Sequence, residues 1–237
     1  MMPGMRAHCQ REVCAVTTKV MIVEDEGLFR DLLHVSLAAQ PAFEVVGVAT
    51  DGESAVRLAR ELSPDVIIMD IDLGKGPNGV EAGICIKEAH PTIGIVLLSA
   101  HKEKEYLSAI PADQSGGWSY VLKQSLADLG ALTRALEGAA AGLVVLDPEL
   151  VMGLRPKPDT GVGSLRGRHL EVLELIAQGY SNAAIAEKLV LGQKSVENYT
   201  NGIYQQLQIS REDSIHPRVK AVLLFLQESR QALGTFS

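Results

Sequence analysis

The chain of 237 residues is long enough for two domains, and its 46% apolar and 22% charged residues are typical of a globular protein. It has no run of eighteen apolar residues, which argues against a membrane-spanning segment. Residues 1–20 lack the apolar stretch of a secretory signal, so we expect a cytoplasmic protein. The charge is uneven, with 12 Lys and Arg against 20 Asp and Glu in residues 1–147 but 8 against 7 in residues 165–237. Two domains with different partners would account for this difference.

From Thr18 onward, apolar strands alternate with amphipathic helices. The predicted strands are KVMIVED, FEVVGVA, DVIIMD, GIVLLSA and WSYVLK. The predicted helices are LFRDLLHVSLAA, GESAVRLARELS, GVEAGICIKEA, a short one near KEKEYLSAI, and LADLGALTRALEGAAA. On the first of these helices, Leu28, Leu32, Val35 and Ala39 share one face. Five strands that alternate with helices predict an α/β domain with a doubly wound, five-stranded parallel sheet over residues 18–142, after a disordered leader at 1–17.

The pattern changes after residue 142. Residues 143–164 are predicted to be a linker, because RPKPDTGVGS is rich in glycine and proline and offers little that could pack. Only helical patterns follow, so we expect an all-α domain over residues 165–230 and a short tail at 231–237.

Acidic and polar side chains stand at the carboxyl ends of the predicted strands. In chain order they are Glu24 and Asp25, Asp70 with Asp72 behind it, Ser99, and Lys123. Parallel strands place these ends at one edge of the sheet, where clustered carboxylates repel one another unless a cation is present. Mg2+ suits such a site, since it binds one or two carboxylates, keeps several waters and prefers phosphate as a further ligand. Asp70 could then act as the nucleophile that takes a phosphoryl group, with Lys123 and the metal neutralising its charge.

This set resembles the receiver domain of two-component response regulators, which has a flavodoxin-like fold. The resemblance implies that Asp70 is the phosphoacceptor, that Ser99 and Lys123 stabilise the phosphoryl group, and that Ser99 and Tyr120 form a switch pair. It implies a Mg2+ site made by Glu24, Asp25, Asp70 and the backbone carbonyl of Asp72. Three departures from the family pattern are Glu24, where Asp is commoner, Gln124, which follows Lys123 where many members have Pro, and Pro111, which suggests an irregular fourth helix.

The helical half has the pattern of a helix-turn-helix. Ser181 can cap one short helix, and a second helix carries Val196, Thr200, Ile203 and Leu207 at i, i+4, i+7 and i+11. The sequence stretches EVLELIAQGYSNAAIAEKL and KSVENYTNGIYQQL of this half resemble the LuxR-type DNA-binding domain. The residues expected to contact DNA are Lys194, Ser195, Glu197, Asn198, Asn201 and Gln205. Because Lys194 is the only basic residue on this helix, a monomer should bind DNA weakly.

The last helix, from Pro217, resembles the dimerising helix of the same family. Its apolar residues are Val219, Val222, Leu223 and Leu226. Plain packing into the core of the domain explains the same spacing equally well.

Together the two halves resemble a NarL/FixJ-class response regulator, which is a transcription regulator and not an enzyme. The resemblance implies four partners: a cognate sensor histidine kinase, double-stranded DNA, RNA polymerase, and a second copy of the chain when phosphorylated. Two alternatives stay open. The receiver could act through protein contacts without taking phosphate. Alternatively, DID at a strand tip could be the nucleophile motif of a haloacid-dehalogenase-like phosphatase. In that family the motif lies on the first strand and the acidic pair follows it, whereas here DID lies on the third strand and the acidic pair precedes it.

Overall fold

The computed structural model describes residues 17–100, 116–210 and 215–231. The predicted leader up to residue 16, the helix predicted near residues 102–110, and residues 232–237 lie outside this part. The first half alternates strands and helices as predicted. Its elements are β1 (Thr18–Val23), α1 (Gly27–Ala38), β2 (Phe43–Ala49), α2 (Gly52–Leu62), β3 (Val66–Asp70), α3 (Gly79–Ala89), β4 (Gly94–Ser99), β5 (Trp118–Leu122), a 3-10 turn (Lys123–Ala127) and α4 (Leu129–Ala140).

These strands form a parallel sheet, which confirms the predicted fold class. Within the described ranges the sheet has six strands in the order β2-β1-β3-β4-β5-β6, where β6 is Val145–Leu146. β6 is an addition to the five predicted strands. The chain reverses at Gly142, whose φ of +75° favours glycine, and β6 then pairs with Ser119 and Tyr120 of β5.

Both faces of the sheet are covered, so β3, β4 and β5 are buried along their whole length. The face of α1 that packs against the sheet differs from the apolar face noted in the sequence. Leu33 and Leu37 pack into the core, whereas Leu28, Leu32 and Val35 are 81%, 55% and 68% exposed. The helix has two apolar stripes, and the position of the sheet decides which one is buried.

The segment 143–164 is structured, so the expectation that it packs little is wrong. After β6 it contains α5 (Pro148–Gly153), β7 (Leu154–Pro156) and α6 (Gly161–Ser164). Leu150, Val151 and Val162 are buried, whereas Met152 between them is 64% exposed. β7 pairs antiparallel with β8 (Ser229–Gln231) at the far end of the chain. The segment is therefore divided between the two folds: β6 belongs to the sheet, and β7 to the helical domain.

The second domain contains α7 (Arg168–Ala177), α8 (Asn182–Leu189), α9 (Gln193–Gln206) and α10 (Pro217–Gln227). Ser181 caps α8 as predicted, since its hydroxyl accepts a hydrogen bond from the Ala184 N–H at 3.2 Å. The four residues predicted to form the inner face of α9 are buried: Val196, Thr200, Ile203 and Leu207. In the described part of the chain, every helix is too short or too polar to cross a membrane.

The two domains contact each other where the α7–α8 turn rests on α4 and β6. Arg134 of α4 donates from Nε to the carbonyl of Gln178 at 3.2 Å, and its guanidinium lies 4.3 Å from the centre of the Tyr180 ring. Between them, Gly179 approaches Val145 of β6 so closely that a Cβ at position 179 would be 3.0 Å from both methyl groups of Val145. Glycine at this turn permits the contact, and its φ of +82° requires glycine as well.

Candidate functional site

The carboxyl edge of the sheet brings three acidic side chains together. Oxygen atoms of Glu24, Asp25 and Asp70 all lie within 4.8 Å of one another. Glu24 and Asp70 are buried, whereas Asp25 is exposed at the rim. The side chain of Asp72 is also exposed, and its N–H donates to Asp70 Oδ1 at 3.4 Å. The predicted convergence of strand ends thus places Glu24, Asp25 and Asp70 in one cluster.

Lys123 supplies the positive charge of this cluster. Its Nζ lies 3.0 Å from Asp70 Oδ2 and 2.9 Å from Glu24 Oε2, and it also donates to Glu24 Oε1 at 3.1 Å. The ammonium also lies 4.7 Å from the centre of the Phe29 ring on α1, an arrangement that favours a cation. One ammonium therefore serves two buried carboxylates.

Burial and charge shift the pKa values of two of these groups. The pKa of Glu24 is raised from 4.5 to about 7, mainly by burial; the nearby charge of Asp70 contributes to the rise, and the hydrogen bond from Lys123 partly offsets it. Burial alone would lower the pKa of Lys123, but its contacts with Glu24 and Asp70 outweigh this, so the pKa is raised. The ammonium form of Lys123 is thus the stable one at neutral pH.

The donor atoms fit a hard cation such as Mg2+. Carboxylate oxygens are the ligands that this ion prefers, and one ammonium cannot neutralise three carboxylates. Glu24 Oε2 is buried near Lys123 Nζ but accepts no well-directed hydrogen bond, so it keeps a lone pair for a metal. Glu24, Asp25 and Asp70 are the side chains that would hold the ion.

The loop after Asp70 owes its shape to its small residues. Gly79 begins α3 directly against the backbone of Asp70, where a Cβ would collide with the Asp70 carbonyl. Asn78 caps α3 by accepting from the Glu81 N–H at 2.9 Å, and the Glu81 side chain accepts from the Asn78 N–H at 3.0 Å. Gly74, with a φ of +65°, approaches the carboxylate of Asp25. The loop is therefore held at both ends while its middle stays beside the acidic cluster.

The proposed switch pair lies on neighbouring strands. Ser99 ends β4 and is 1% exposed, and Tyr120 lies within β5 and is fully buried. In the sheet register, Ser99 is opposite Leu122, and Tyr120 is opposite Leu97 on one side and Leu146 of β6 on the other. The added strand β6 is thus a direct neighbour of Tyr120, which the sequence did not suggest.

On α9, the residues predicted to contact DNA share the outer face of the helix. Five of them are exposed, and Ser195 is half-buried: the exposed ones are Lys194, Glu197, Asn198, Asn201 and Gln205. Lys194 Nζ lies 2.9 Å from Glu197 Oε2, one turn further along the helix. The i, i+3 spacing could have revealed this pair from the sequence. The only basic residue of this helix therefore forms an ion pair with an acidic residue of the same helix.

The packing of α10 favours core packing, one of the two interpretations left open for its apolar residues. Val219, Val222 and Leu226 are buried in the core of their own domain, and only Leu223 of the four is partly exposed. These side chains belong to the same buried apolar cluster as Leu173 of α7 and Ile203 of α9, so they are not available to a second copy in this conformation.

Comparisons with known proteins agree with both halves of the structure. The family model for the response regulator receiver domain matches residues 20–137, and that for bacterial regulatory proteins of the luxR family matches residues 164–216. The transcriptional regulatory protein DegU of Brevibacillus brevis is 32% identical over 213 residues, which cover 81% of this chain and 88% of DegU. The transcriptional regulatory protein LiaR of Bacillus subtilis (strain 168) is 35% identical over 200 residues, which cover 81% of this chain and 92% of LiaR.

A solved structure of two RcsB dimers bound to two parallel DNAs is similar in fold, with 22% identity, a TM-score of 0.50, and coverage of 90% of this chain and 98% of the RcsB chain. The sheet, the acidic edge, the helix-turn-helix and the two family matches lead to one assignment. The chain belongs to the two-component response regulators that join a receiver domain to a LuxR-type DNA-binding domain.

Proposed function

We propose that Asp70 accepts a phosphoryl group from a sensor histidine kinase, in a reaction that needs Mg2+, and that this promotes a dimer that binds DNA through α9 and regulates transcription. The observation that carries the proposal is the contact of 3.0 Å between Asp70 Oδ2 and Lys123 Nζ inside the cluster with Glu24 and Asp25. The protein would work in the cytoplasm, where its kinase, its DNA and RNA polymerase are found.

The reaction is a transfer to a carboxylate. An oxygen of Asp70 attacks phosphorus, the bond from phosphorus to the donor atom breaks, and the donor leaves with its electron pair. Mg2+ would supply charge neutralisation for the phosphoryl oxygens. Lys123 is within reach of the same oxygens, because it already contacts Asp70, and the hydroxyl of Ser99 at the end of the adjacent strand can donate to them.

Phosphorylation replaces a carboxylate by a larger, more highly charged group. We expect Ser99 to move toward it and Tyr120 to follow, which would change the packing of β5 against its neighbours. A new charge that favours one of two arrangements is the general requirement for such a switch.

Weak binding by one copy explains why a dimer is needed. Lys194 is paired with Glu197, so a single α9 offers little attraction for phosphate. Two linked copies raise the apparent affinity without new kinds of contact. A two-fold dimer predicts an inverted repeat with half-sites about 10 bp apart. Asn198, Asn201 and Gln205 carry amides that can pair with adenine, and Glu197 can accept from cytosine.

Labelling with radioactive acetyl phosphate tests the phosphoacceptor. Wild type should be labelled with Mg2+ and not with EDTA, and Asp70→Asn should abolish the label because it removes the nucleophile. Asp31→Asn is the matched control, since Asp31 is an exposed acid on α1 outside the acidic cluster and should still be labelled. A labelled Asp70→Asn variant would show that the acceptor is another residue. A wild type that is never labelled would favour a receiver that acts through protein contacts alone.

Sedimentation tests the dimer. With the phosphodonor and Mg2+, wild type should shift from monomer to dimer, and Ser99→Ala should be labelled yet shift much less. The same sedimentation with and without phosphate would contradict the switch.

A further inference from the structure

A carboxylate from the segment between the domains is built into the sheet next to Lys123. The β6 strand has only two paired residues, the second of which, Leu146, lies opposite Tyr120. The next residue, Asp147, continues the pairing with its side chain: Asp147 Oδ2 accepts from the Leu122 N–H at 3.0 Å. Leu122 directly precedes Lys123, so Asp147 fixes the backbone from which the Lys123 side chain starts.

The residue on the other side of Lys123 is held by the same segment. Gln124 donates from Nε2 to Glu149 Oε2 at 2.7 Å. Many related receivers have proline after the lysine, which restricts the backbone there, whereas this chain has Gln124. Asp147 and Glu149 thus hold both chain neighbours of Lys123.

Asp147 is an unusual group to find in such a place. It is 1% exposed, and no Lys or Arg pairs with it among the described residues. A buried carboxylate is costly unless its oxygens are hydrogen-bonded. Its second oxygen accepts from the Glu149 N–H at 2.8 Å and so caps α5. The bond from the Glu149 N–H is explained by helix capping. The bond from the Leu122 N–H is not, because it joins Asp147 to the end of β5.

β6 also contacts the DNA-binding domain. Val145, two residues before Asp147, packs against Gly179 in the α7–α8 turn. A short stretch of chain therefore joins the backbone of Lys123 to the helix-turn-helix.

We propose that Asp147 is a positioning residue for Lys123, and that it makes the segment between the domains part of the phosphoryl site. The inference rests on the proposed role of Lys123 in phosphoryl transfer. Asp147 touches no reacting atom; it acts through the Leu122 amide. Loss of Asp147 frees this amide and lets Lys123 move away from Asp70.

Two measurements on the full-length protein test the proposal: the rate of phosphorylation by acetyl phosphate with Mg2+, and the affinity for Mg2+ alone by calorimetry. Asp147→Ala should slow phosphorylation about tenfold, because small displacements of positioning groups cost rates of this order. Its Mg2+ affinity should be unchanged or higher, since the carboxylates remain and a competing ammonium is loosened. Asp147→Asn keeps one acceptor oxygen and should fall between Asp147→Ala and wild type.

Thr160→Ala is the matched control. Thr160 caps α6 in the same segment by accepting from the Gly163 N–H at 3.0 Å, and among the described residues its side chain makes no hydrogen bond to β5. It should phosphorylate at the wild-type rate. Equal rates for Asp147→Ala and Thr160→Ala would overturn the proposal, as would a loss of Mg2+ binding in parallel with phosphorylation in a folded variant.

If Asp147→Ala does not fold, Asp147→Asn decides: slower phosphorylation with wild-type Mg2+ affinity supports the proposal, and a wild-type rate overturns it. If wild type itself is not labelled, the proposed function fails and this inference fails with it. If wild type and both Asp147 variants are labelled equally, only this inference fails.

Discussion

The carboxyl edge of the sheet and the outer face of α9 both carry paired charges of opposite sign, but the pairs differ in burial. At the sheet edge, Glu24 and Asp70 are buried and share Lys123. On α9, the side chains of Lys194 and Glu197 are 83% and 47% exposed and pair with each other. Buried charges depend strongly on their partners, whereas an exposed pair contributes about 0–1 kcal/mol. The fold therefore fixes the first site, while the second can change with little cost to stability.

Removing Lys123, the cation that the two buried carboxylates share, should change the free energy of unfolding more than any other substitution proposed here. Lys123→Met leaves Glu24 and Asp70 buried without a positive charge, so the free energy of unfolding should fall by about 3–5 kcal/mol. Urea unfolding at pH 8 without metal measures it. Mg2+ should restore much of the loss, because the ion replaces the missing charge.

Lys75→Met is the control for this change. Lys75 is an exposed lysine in the loop after Asp70, and its loss should alter stability by less than about 0.5 kcal/mol. Equal effects of the two substitutions would mean that the buried acids do not depend on Lys123.

Lys87 is a second buried lysine, and it extends the comparison because none of the described acidic side chains forms an ion pair with it. Its Nζ donates to the Ile93 carbonyl at 3.0 Å, and burial lowers its pKa from 10.5 to about 8. Between pH 8 and 10.5 the unfolded state binds more protons than the folded one, so stability should rise with pH there, by about 2–3 kcal/mol. Below pH 8 the charged amine is a constant cost.

Urea unfolding from pH 7 to 10.5 checks this window. Lys87→Met should lack the rise that wild type shows, and the difference between the two curves isolates Lys87 from the other groups that titrate. Parallel curves would contradict the prediction.

Reversing one charge on α9 tests the exposed side. Glu197→Lys frees Lys194 and adds a second cation, so affinity for random DNA should rise about tenfold, with a salt dependence steeper by about two units of slope. Stability should change by less than about 0.5 kcal/mol. Fluorescence anisotropy over a range of salt concentrations measures the first two quantities.

Glu137→Lys makes the same charge change on the exposed surface of α4 and is the control. If both substitutions raise DNA binding equally, net charge alone is responsible. If Glu197→Lys leaves binding to random DNA unchanged, α9 does not face the duplex.

The smallest effect is expected in the turn before α9. Val190 is 91% exposed and adopts φ 54° and ψ 52°, a left-handed conformation that is costly for a branched side chain. Val190→Gly should relieve this strain, and after the entropic cost of glycine the protein should gain about 0.5–1 kcal/mol. Thermal unfolding measures the gain. Gln208→Gly, at the same φ but with an unbranched residue, should gain less, and a destabilised Val190→Gly would show that Val190 packs productively.

The sequence was informative where burial on both sides forces a pattern. VIIMD is apolar throughout because both faces of β3 are covered, so Asp70 at its end stood out as the site. On α1 two apolar stripes were present, and periodicity cannot say which one meets a sheet. β6 is too short to leave a pattern, and it depends on the turn at Gly142. Asp147, which precedes a proline at a helix start, looks like an ordinary cap until its bond to Leu122 is seen.

The division of the interdomain segment determines where this regulator can be spliced. A hybrid that grafts its DNA-binding domain onto a foreign receiver would ordinarily be joined in the stretch rich in glycine and proline. That junction would discard β7, which pairs with β8 at the opposite end of the grafted domain. The workable junction is α5, Pro148–Gly153, which lies between the strand that belongs to the sheet and the strand that belongs to the helical domain. A donor receiver that ends at its fifth strand would lack β6, so Gly179 would lose its present contact with Val145.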